Sequence, residues 1–207
     1  LIVMNVFHRQ EVLNLGSLKY IVFNSLIGEI AIVWDKNEII KQVVLPDSKS
    51  RKHNYGDIQY HGVLHEVHPS KYILKIMSNI KEIIMGHDIK FELNQLDLND
   101  LTQFQREVLL KQNEIPYGMV TTYKKLAQLI GRPKSARPVA NTLASNPFPL
   151  IIPCHRTVKS DWTLGGYNGR KDGYFKRFIL ENEGIRFEDD VIKQQYRYPQ
   201  EDVESMN

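Results

Sequence analysis

The stretch TYKKLAQLIGRPKSARPVANTLA, residues 122–144, contains two short helical patterns separated by a glycine-containing turn. Thr122 can cap a helix over residues 123–130, because a threonine hydroxyl accepts a hydrogen bond from a free amide at a helix start. Ser135 can cap a second helix over residues 136–144 in the same way. Two such helices predict a helix-turn-helix, which places its second helix on DNA. An ordinary helical hairpin without a DNA-binding role explains the same spacing equally well.

Basic side chains are concentrated in the part of the chain that holds these two helices. Residues 101–187 carry 14 Lys and Arg against 6 Asp and Glu, whereas the whole chain has a formal net charge of only +3. This distribution favours a polyanionic partner, although many basic surfaces are merely solvated. Residues 101–112 and 173–182 also have helical patterns. Residues 188–207 are acidic with little to bury, so we expect a flexible tail.

Residues 1–98 predict a small N-terminal α/β domain. Three segments are rich in the β-branched and aromatic side chains typical of strands: 18–24, 29–34 and 39–45. A turn at residues 25–28 predicts that the first two pair as an antiparallel hairpin. Apolar residues within 69–85 repeat at helical spacing, and residues 89–93 are a candidate for another strand. We therefore predict an α+β fold: an antiparallel sheet with a helix, then a mainly helical C-terminal domain, residues 99–187, that contains the helix-turn-helix.

Length and composition exclude several classes of protein. The chain has 207 residues, enough for one large domain or two small ones. Its single cysteine, Cys154, cannot form an internal disulfide and excludes cysteine-rich zinc sites. His53, His61, His65 and His68 cluster in the sequence without a cysteine, and we predict neither a metal site nor a cofactor. No stretch approaches the roughly 18 apolar residues that span a membrane, so we expect a cytoplasmic location.

The residues around the single cysteine favour a reactive thiol. A short apolar run, residues 150–152, leads to Pro153 and Cys154, and His155 and Arg156 follow at once. Cationic or basic neighbours lower a thiol pKa, and the thiolate is the nucleophile. A buried cysteine that only packs is the commoner case. Adjacent residues of an extended chain point in opposite directions, so His155 can serve Cys154 only if the backbone turns there or a water bridges them.

A series of short motifs extends the pattern on both sides of the cysteine. They are, in chain order, Phe104-Gln105, Ile115-Pro-Tyr-Gly118, Thr121-Thr-Tyr-Lys-Lys-Leu-Ala127, Ala136-Arg-Pro-Val139, Asn146-Pro147, Pro153-Cys-His-Arg-Thr-Val158, Gly165-Gly-Tyr167 and Glu183-Gly184. In this order and spacing, residues 100–187 resemble the O6-alkylguanine-DNA alkyltransferase family, the methylated-DNA–protein cysteine methyltransferases. Residues 18–100 resemble the variable N-terminal domain of that family only loosely. The resemblance implies direct-reversal DNA repair, with one irreversible transfer of an alkyl group from guanine O6 to Cys154 per protein molecule.

The resemblance also implies how the reaction is divided among side chains. Cys154 would attack the alkyl carbon, His155 would take the thiol proton through a water, and Glu183 would orient His155. Asn146 would brace the turn that holds the cysteine and histidine. Tyr123 would donate a hydrogen bond to the leaving guanine as negative charge develops on it.

Contacts to double-stranded DNA containing O6-alkylguanine are implied as well. The target guanine would have to leave the duplex, because its O6 atom inside the stack cannot reach a buried sulfur. Arg137 would fill the gap from the minor groove, and Ala136 and Ala140 would let the second helix lie close to the DNA. Further DNA contacts are implied for Tyr123, Lys124, Lys125, Arg132, Lys134 and Arg156, although each basic residue among these can equally be solvated surface. The guanine pocket would be formed by Tyr167, Thr157, Gly165, Gly166, Asn168 and Trp162. We expect a monomer to do this.

Three other functions account for parts of the sequence. A non-catalytic lesion sensor of the same family would have its acceptor cysteine replaced, and Cys154 argues against this reading. A transcription regulator would use the helix-turn-helix, but entry from the minor groove would not give operator specificity. A cysteine hydrolase built on Cys154, His155 and Glu183 would leave Arg137 without a purpose, and it would not lose activity after one turnover.

Overall fold

The N-terminal part of the chain is built on a four-stranded sheet. The computed structural model describes residues 18–47, 49–50, 64–66, 68–169 and 173–199. Strands β1 (Leu18–Ser25) and β2 (Gly28–Trp34) form an antiparallel hairpin, and β3 (Ile40–Val44) pairs antiparallel with β2. Strand β4 (Leu64–Glu66), which the sequence pattern did not predict, pairs parallel with β1 and gives the order β3-β2-β1-β4. A three-residue strand is too short to show an alternating pattern, so only its pairing reveals it.

Helix α1 (Lys71–Ile84) covers the sheet, as its apolar spacing predicted. It begins after Ser70, whose hydroxyl accepts a hydrogen bond from the Ile73 amide, and Gly86 ends it in the left-handed region with φ 92°. Five isoleucines form its buried face: Ile73, Ile76, Ile80, Ile83 and Ile84. They pack in one core cluster with β2, in which Trp34 is completely enclosed. The prediction of a strand over residues 89–93 is wrong: residues 89–92 form no regular element, a 3-10 turn follows at Leu93–Gln95, and the chain reaches β3 only beyond it, at the single bridge Ile40–Leu96.

The C-terminal part is mainly helical. Its helices are α2 (Gln103–Asn113), α3 (Tyr123–Leu129), α4 (Ala136–Ala144) and α5 (Tyr174–Asn182). The predicted cap at Thr122 is present, since its hydroxyl accepts a hydrogen bond from the Lys125 amide at 3.1 Å. The predicted cap at Ser135 is wrong: with φ −100° and ψ 25°, this residue lacks the extended backbone of a cap, and its side chain makes no capping bond. Helices α3 and α4 pack against each other and against α2 as the helix-turn-helix, and the α+β fold is confirmed.

Short strand pairs tie the helices to the cysteine segment and to the end of the described chain. Strand β5 (Thr121–Thr122) pairs parallel with β6 (Thr157–Val158), so the start of α3 lies beside the residues that follow Cys154. Strands β7 (Phe187–Glu188) and β8 (Val191–Ile192) form a hairpin, and a 3-10 turn follows at Gln194–Tyr196.

This hairpin corrects the prediction of a flexible tail, as far as residue 199. Two of the acidic residues behind that prediction, Asp189 and Asp190, lie at the hairpin turn, where both have positive φ. The next residues pack inward: Ile192 is fully buried, and the Tyr198 amide donates to the Val120 carbonyl at 2.7 Å. Residues 200–207 lie outside the described part of the chain. None of the described helices is both long and apolar enough to cross a bilayer.

Candidate active site

The backbone turns at Cys154. A 3-10 turn, Cys154–Arg156, follows Pro153 and ends where β6 begins. Asn146 holds this turn from inside the core: its Nδ2 donates to the Ile152 carbonyl at 3.1 Å, and its Oδ1 accepts from the Phe148 amide at 3.0 Å. Because both bonds are buried, losing either would leave an unsatisfied polar group in the core. Asn146 therefore fixes the path of the chain into the cysteine.

A glutamine that the sequence analysis did not single out holds the same turn from the other side. Gln112, at the end of α2, donates from Nε2 to the Pro153 carbonyl at 2.8 Å and accepts a hydrogen bond from the Thr157 hydroxyl. Its side chain is completely buried. The signal in the sequence was its spacing, three and four residues after Leu109 and Val108, which places Gln112 on the apolar face of α2.

His155, Glu183 and Arg156 form a buried polar chain behind the cysteine. Nε2 of His155 lies 2.8 Å from Oε1 of Glu183, and the Arg156 guanidinium donates to both carboxylate oxygens at 2.9 to 3.1 Å. Burial alone would raise the pKa of Glu183, but the charges and hydrogen bonds of His155 and Arg156 lower it to about 2. Glu183 is therefore ionised at neutral pH.

The protonation of His155 follows from its surroundings. Burial lowers its pKa and outweighs the attraction of Glu183, so we take the imidazole as neutral at pH 7. The carboxylate of Glu183 can only accept a hydrogen bond, so Nε2 carries the proton and Nδ1 is the free base. Nδ1 is buried and has no hydrogen-bond partner among the described residues. Its lone pair is therefore available for a proton.

The position of Arg156 corrects one predicted DNA contact. Its guanidinium points into the protein, where it binds Glu183 and donates to the Ile115 carbonyl at 3.0 Å. It also lies over the ring of Tyr117, 5.6 Å from the ring centroid. Only 12% of the side chain is exposed. A guanidinium with these partners cannot also reach a phosphate, because the buried carboxylate already occupies its planar edge.

Cys154 lies in the wall of a cavity of about 600 Å³. Five residues predicted for the site line it as well: Tyr123, Gly165, Gly166, Tyr167 and Asn168. Helix α4 contributes Ala140, Asn141, Leu143 and Ala144, and the loop after β6 contributes Lys159 and Gly169. A cavity of this size matches the sites that hold small organic molecules. The helix-turn-helix and the cysteine therefore share one cavity.

The side chains of two residues predicted for this pocket make their contacts outside it. Thr157 is fully buried beneath it, with its hydroxyl bonded to Gln112. Trp162 belongs to a separate apolar cluster with Val120 and Ile192. Two cations lie over its ring: the Arg197 guanidinium is 4.8 Å and the Lys125 ammonium 5.2 Å from the ring centroid. Thr157 pairs with Thr121 in the β5–β6 ladder, and the Trp162 carbonyl accepts a hydrogen bond from the Ile192 amide of β8 at 3.1 Å.

The ionisable groups at the cavity are protonated at rest. Burial raises the pKa of the Cys154 thiol, and a hydrogen bond from Asn146 and the positive charge of Lys176 only partly oppose this. Burial and the nearby Cys154 raise the pKa of Tyr123 to about 12. The thiol therefore needs a base before it can act as a nucleophile, and the Tyr123 hydroxyl remains a hydrogen-bond donor.

Lys176 of helix α5 is a buried cation that the sequence analysis missed. Its Nζ donates to the Thr157 carbonyl at 2.6 Å and to the Gly166 carbonyl at 3.3 Å, and it lies 5.8 Å from the centroid of the Tyr123 ring. Burial lowers its pKa to about 7. The signal in the sequence was a lysine one turn before Ile179, on the apolar face of an amphipathic helix.

The predicted DNA-contacting residues divide into two groups. Arg137, Lys124 and Lys134 are exposed on the helix-turn-helix, and Ala136 is half-buried at the start of α4. Arg132 instead binds Glu107 of α2, with Nη2 and Oε2 3.0 Å apart, and lies over the Phe104 ring. Lys125 lies over the Trp162 ring. Pro138 is in the first turn of α4, where its missing amide hydrogen costs no helical bond.

Most of the predicted histidine cluster lies outside the part of the chain that the structure describes. His53, His61 and the side chain of His65 lie outside the described residues, and His68 is exposed. The part of the chain that the structure describes contains no group of three or more side chains suited to hold a metal ion.

A thiol backed by a histidine and a carboxylate, in a cavity shared with a helix-turn-helix, defines a cysteine-dependent transferase acting at a nucleic-acid interface. Comparison with the sequences of known proteins supports this class. The profile of the 6-O-methylguanine DNA methyltransferase, DNA binding domain, matches residues 103–185. A methylated-DNA–protein-cysteine methyltransferase of Methanothermobacter thermautotrophicus is 32% identical over 160 residues, which cover 77% of this chain and 82% of that protein. The rat protein of the same name is 42% identical over 83 residues, 40% of this chain and 39% of its own length.

Solved structures show the same fold. The O6-methylguanine methyltransferase of Mycobacterium tuberculosis superimposes with a TM-score of 0.63 at 25% identity, covering 84% of this chain and 96% of that one. The OGT of the same organism in complex with DNA gives 0.62 at 25% identity, over 81% and 92% of the two chains. The chain belongs to the methylated-DNA–protein-cysteine methyltransferase family. It is a transferase of direct-reversal DNA repair that moves an alkyl group from DNA to a cysteine of the protein and works once per molecule.

Proposed function

We propose that Cys154 accepts the alkyl group, with His155 as the base and Glu183 as the residue that orients it. The observation that carries this is the position of the only cysteine of the chain, in the wall of the cavity and next to the His155–Glu183 pair. The thiol proton passes to Nδ1 of His155 through a water, and the cation that forms is stabilised by the Glu183 carboxylate. Asn146 keeps the turn in place during this step.

The transfer itself is a single displacement. The Cys154 sulfur forms a bond to the alkyl carbon as the bond from that carbon to guanine O6 breaks, and the electron pair of the broken bond stays on the guanine. Tyr123 lines the cavity with its hydroxyl protonated, so it can donate a hydrogen bond to the base as negative charge develops there. The product is a thioether, which no group in this arrangement would reverse.

We propose that the guanine reaches the cavity by leaving the duplex, with the second helix of the helix-turn-helix in the minor groove. Helix α4 supports this arrangement because Ala140 lines the cavity while Arg137 is exposed one turn earlier. Arg137 would occupy the space of the displaced base, and the small Ala136 would allow close approach to the backbone. Lys124 and Lys134 would bind phosphates without reading sequence.

We further propose a domain organisation, an oligomeric state and a cellular location for the protein. Residues 1–98 form a structural N-terminal domain, residues 99–187 form the alkyltransferase and DNA-binding domain, and one chain acts alone as a monomer. Cavity and helix-turn-helix lie on the same chain, which supports action as a monomer. The cytoplasm suits a protein whose acceptor must remain a free thiol.

Intact-protein mass spectrometry after mixing with excess duplex containing O6-methylguanine tests the reaction. We expect each chain to gain the mass of one methylene unit, about 14 Da, as expected for S-methylation of a nucleophilic thiol. Cys154→Ala should gain nothing while still binding the duplex. Tight lesion binding without a mass gain in the unaltered protein would reject the transfer and leave a lesion sensor.

A second experiment tests base displacement separately. Arg137→Ala should slow methyl transfer from the duplex and leave the reaction with free O6-methylguanine unchanged, because only the duplex requires a gap to be filled. Lys134→Ala is the matched control, since it removes an exposed cation from the same motif. If both variants slowed methyl transfer from the duplex equally, Arg137 would contribute only its positive charge and would not fill the gap left by the base.

A further inference from the structure

The chain continues past the family domain as a folded C-terminal segment, residues 187–198. The family profile ends at residue 185, and strands β7 and β8 and the 3-10 turn at Gln194–Tyr196 follow it. Ile192 of β8 is fully buried, so this segment packs on the protein and does not extend into solvent. The family match assigns no role to it.

The C-terminal segment bonds to two parts of the main chain that lead to the cavity. One is Val120, just before β5: its amide donates to the Tyr196 carbonyl, and its carbonyl accepts from the Tyr198 amide, each at 2.7 Å. The other is Trp162, whose carbonyl accepts from the Ile192 amide at 3.1 Å. Because these are backbone hydrogen bonds, they fix the main chain of both parts and not only their side chains.

The loop that follows β6, residues 159–169, has an outer part and a part that faces the cavity; we call it the cavity loop. Trp162 and Leu164 of the outer part pack in the apolar cluster that contains Ile192. Residues 165–167 follow directly and line the cavity with Cys154. Since the two parts are adjacent along the chain, the contacts of the C-terminal segment determine where residues 165–167 can lie.

Trp162 is held in an uncommon conformation by side chains as well as by the main chain. Its φ is 64°, which a bulky residue adopts only when its surroundings enforce it. The Arg197 guanidinium lies 4.8 Å from the ring centroid and donates to the Ile192 carbonyl at 3.0 Å from Nε and at 2.8 Å from Nη2. The Lys125 ammonium of α3 lies 5.2 Å from the same centroid. Arg197 is thus fixed by β8 and in turn holds the tryptophan.

A fixed cavity loop limits the space for the group on guanine O6. The alkyl group must lie between the base and Cys154, because its carbon is the atom that the sulfur attacks. Gly165 shows how closely the loop packs here: a Cβ on it would lie 3.3 Å from the Lys159 side chain and 3.9 Å from the Tyr123 hydroxyl. A larger group therefore requires the loop to move, and such movement would strain the contacts of Trp162.

We propose that the C-terminal segment, acting through Arg197 and Trp162, restricts the transfer to small alkyl groups by fixing the cavity loop. This rests on the proposed role of Cys154, and the chemical step is the same displacement at the alkyl carbon. A methyl group fits without movement of the loop, whereas a benzyl group requires it. Arg197 and Trp162 are positioning residues, since neither is among the described residues that line the cavity.

Arg197→Ala tests the restriction, because it removes the cation over the tryptophan ring and both bonds to β8. The measured quantity is the single-turnover rate with duplex containing O6-benzylguanine divided by the rate with O6-methylguanine, at saturating DNA. We expect this ratio to rise about 3- to 10-fold, since moving the loop would no longer break a cation–π contact. The methyl rate should stay nearly unchanged. Lys193→Ala is the matched control, because it removes an exposed cation from the same segment.

Two further measurements separate positioning from a general loss of stability. Arg197→Lys keeps a cation for the ring, so it should restore most of the selectivity for methyl. Trp34, the only other tryptophan, is 2% exposed, so quenching of fluorescence by acrylamide reports mainly on Trp162. Quenching should increase in Arg197→Ala and not in Lys193→Ala. If Arg197→Ala does not fold, Trp162→Phe weakens the same contact from the side of the ring.

The ratio of the two rates decides the outcome. An unchanged ratio in Arg197→Ala would overturn the proposal whether or not quenching increases, and so would an equal rise in Lys193→Ala. If the unaltered protein transferred neither group, the proposed role of Cys154 would fail, and the restriction on alkyl size with it. The methyl rate of the unaltered protein therefore distinguishes the two failures.

Discussion

Replacing Glu183 by glutamine should cost stability that depends on pH in a defined way. The carboxylate is 1% exposed and is bonded to both Arg156 and His155. Lowering its pKa from 4.5 to about 2 corresponds to roughly 3 kcal/mol of stability. Breaking a buried ion pair by removing one partner costs a similar amount, about 3 to 5 kcal/mol. The hydrogen bond from His155 persists when its imidazole is neutral, and Arg156 supplies a permanent positive charge, so both partners contribute and we expect a loss of about 3 kcal/mol.

The sign of the pH dependence follows from the lowered pKa. A carboxyl whose folded pKa lies below its unfolded value stabilises the folded state fully above the unfolded pKa, here 4.5. This contribution falls as pH decreases toward about 2. The difference in unfolding free energy between the unaltered protein and Glu183→Gln should therefore be about 3 kcal/mol at pH 7 and about 1.5 kcal/mol at pH 3.

Urea titrations at pH 7 and pH 3, followed by circular dichroism, measure both differences. Glu181→Gln is the control, because Glu181 is on the same helix but forms an exposed pair with Arg177 that is worth less than about 1 kcal/mol. A Glu183→Gln difference no larger than that of the control would refute the energetic role of the buried chain. A large difference that did not shrink at pH 3 would show that packing, and not charge, is responsible.

Two further predictions concern the frame around the site. Gly86→Ala should cost more than about 3 kcal/mol of unfolding free energy, because φ is 92° and the added Cβ would lie 2.1 Å from a carbonyl oxygen of α5. Gly131→Ala, with φ 71° and no atom within 4 Å of its Cβ, should cost only about 1 kcal/mol in the same urea titration. Arg197→Ala should cost about 1 kcal/mol and change the fluorescence of Trp162, whereas the exposed Lys193→Ala should do neither. Equal costs at the two glycines, or an unchanged tryptophan signal, would contradict these interpretations.

Local signals in the sequence were read correctly where one residue and its immediate neighbours decide the structure. Thr122 sets the start of α3 through a hydrogen bond from the Lys125 amide, only three residues further along the chain. Ser135 shows the limit, since residue type allows a cap but the preceding turn sets the backbone angles. A suitable residue type is therefore necessary for a capping hydrogen bond, but it does not ensure that the bond forms.

Long-range partners were the part that the sequence could not supply. Arg156 is a basic residue in a basic segment, so the sequence suggested a DNA contact. Only the fold reveals that it binds the carboxylate of Glu183, 27 residues away. Lys176 is unremarkable in a basic segment until the carbonyls of Thr157 and Gly166 are placed beside it. Trp162 follows the cysteine closely in sequence, yet the hairpin after α5 keeps it out of the cavity. Proximity along the chain does not decide which face of a loop a side chain occupies.

The order of synthesis determines when the contacts around the cysteine turn can form. Proteins are synthesised from the N-terminus, and the cysteine turn emerges before Glu183 and before the hairpin β7–β8. The contacts that finish the site come from these later residues, including the Tyr198 amide bound to Val120 beside β5. A nascent chain that ends before residue 183 has a thiol without its oriented base. If Cys154 is the acceptor and His155 its base, as we propose, the base is oriented only after Glu183 has been made, and a shorter nascent chain should react slowly with damaged DNA.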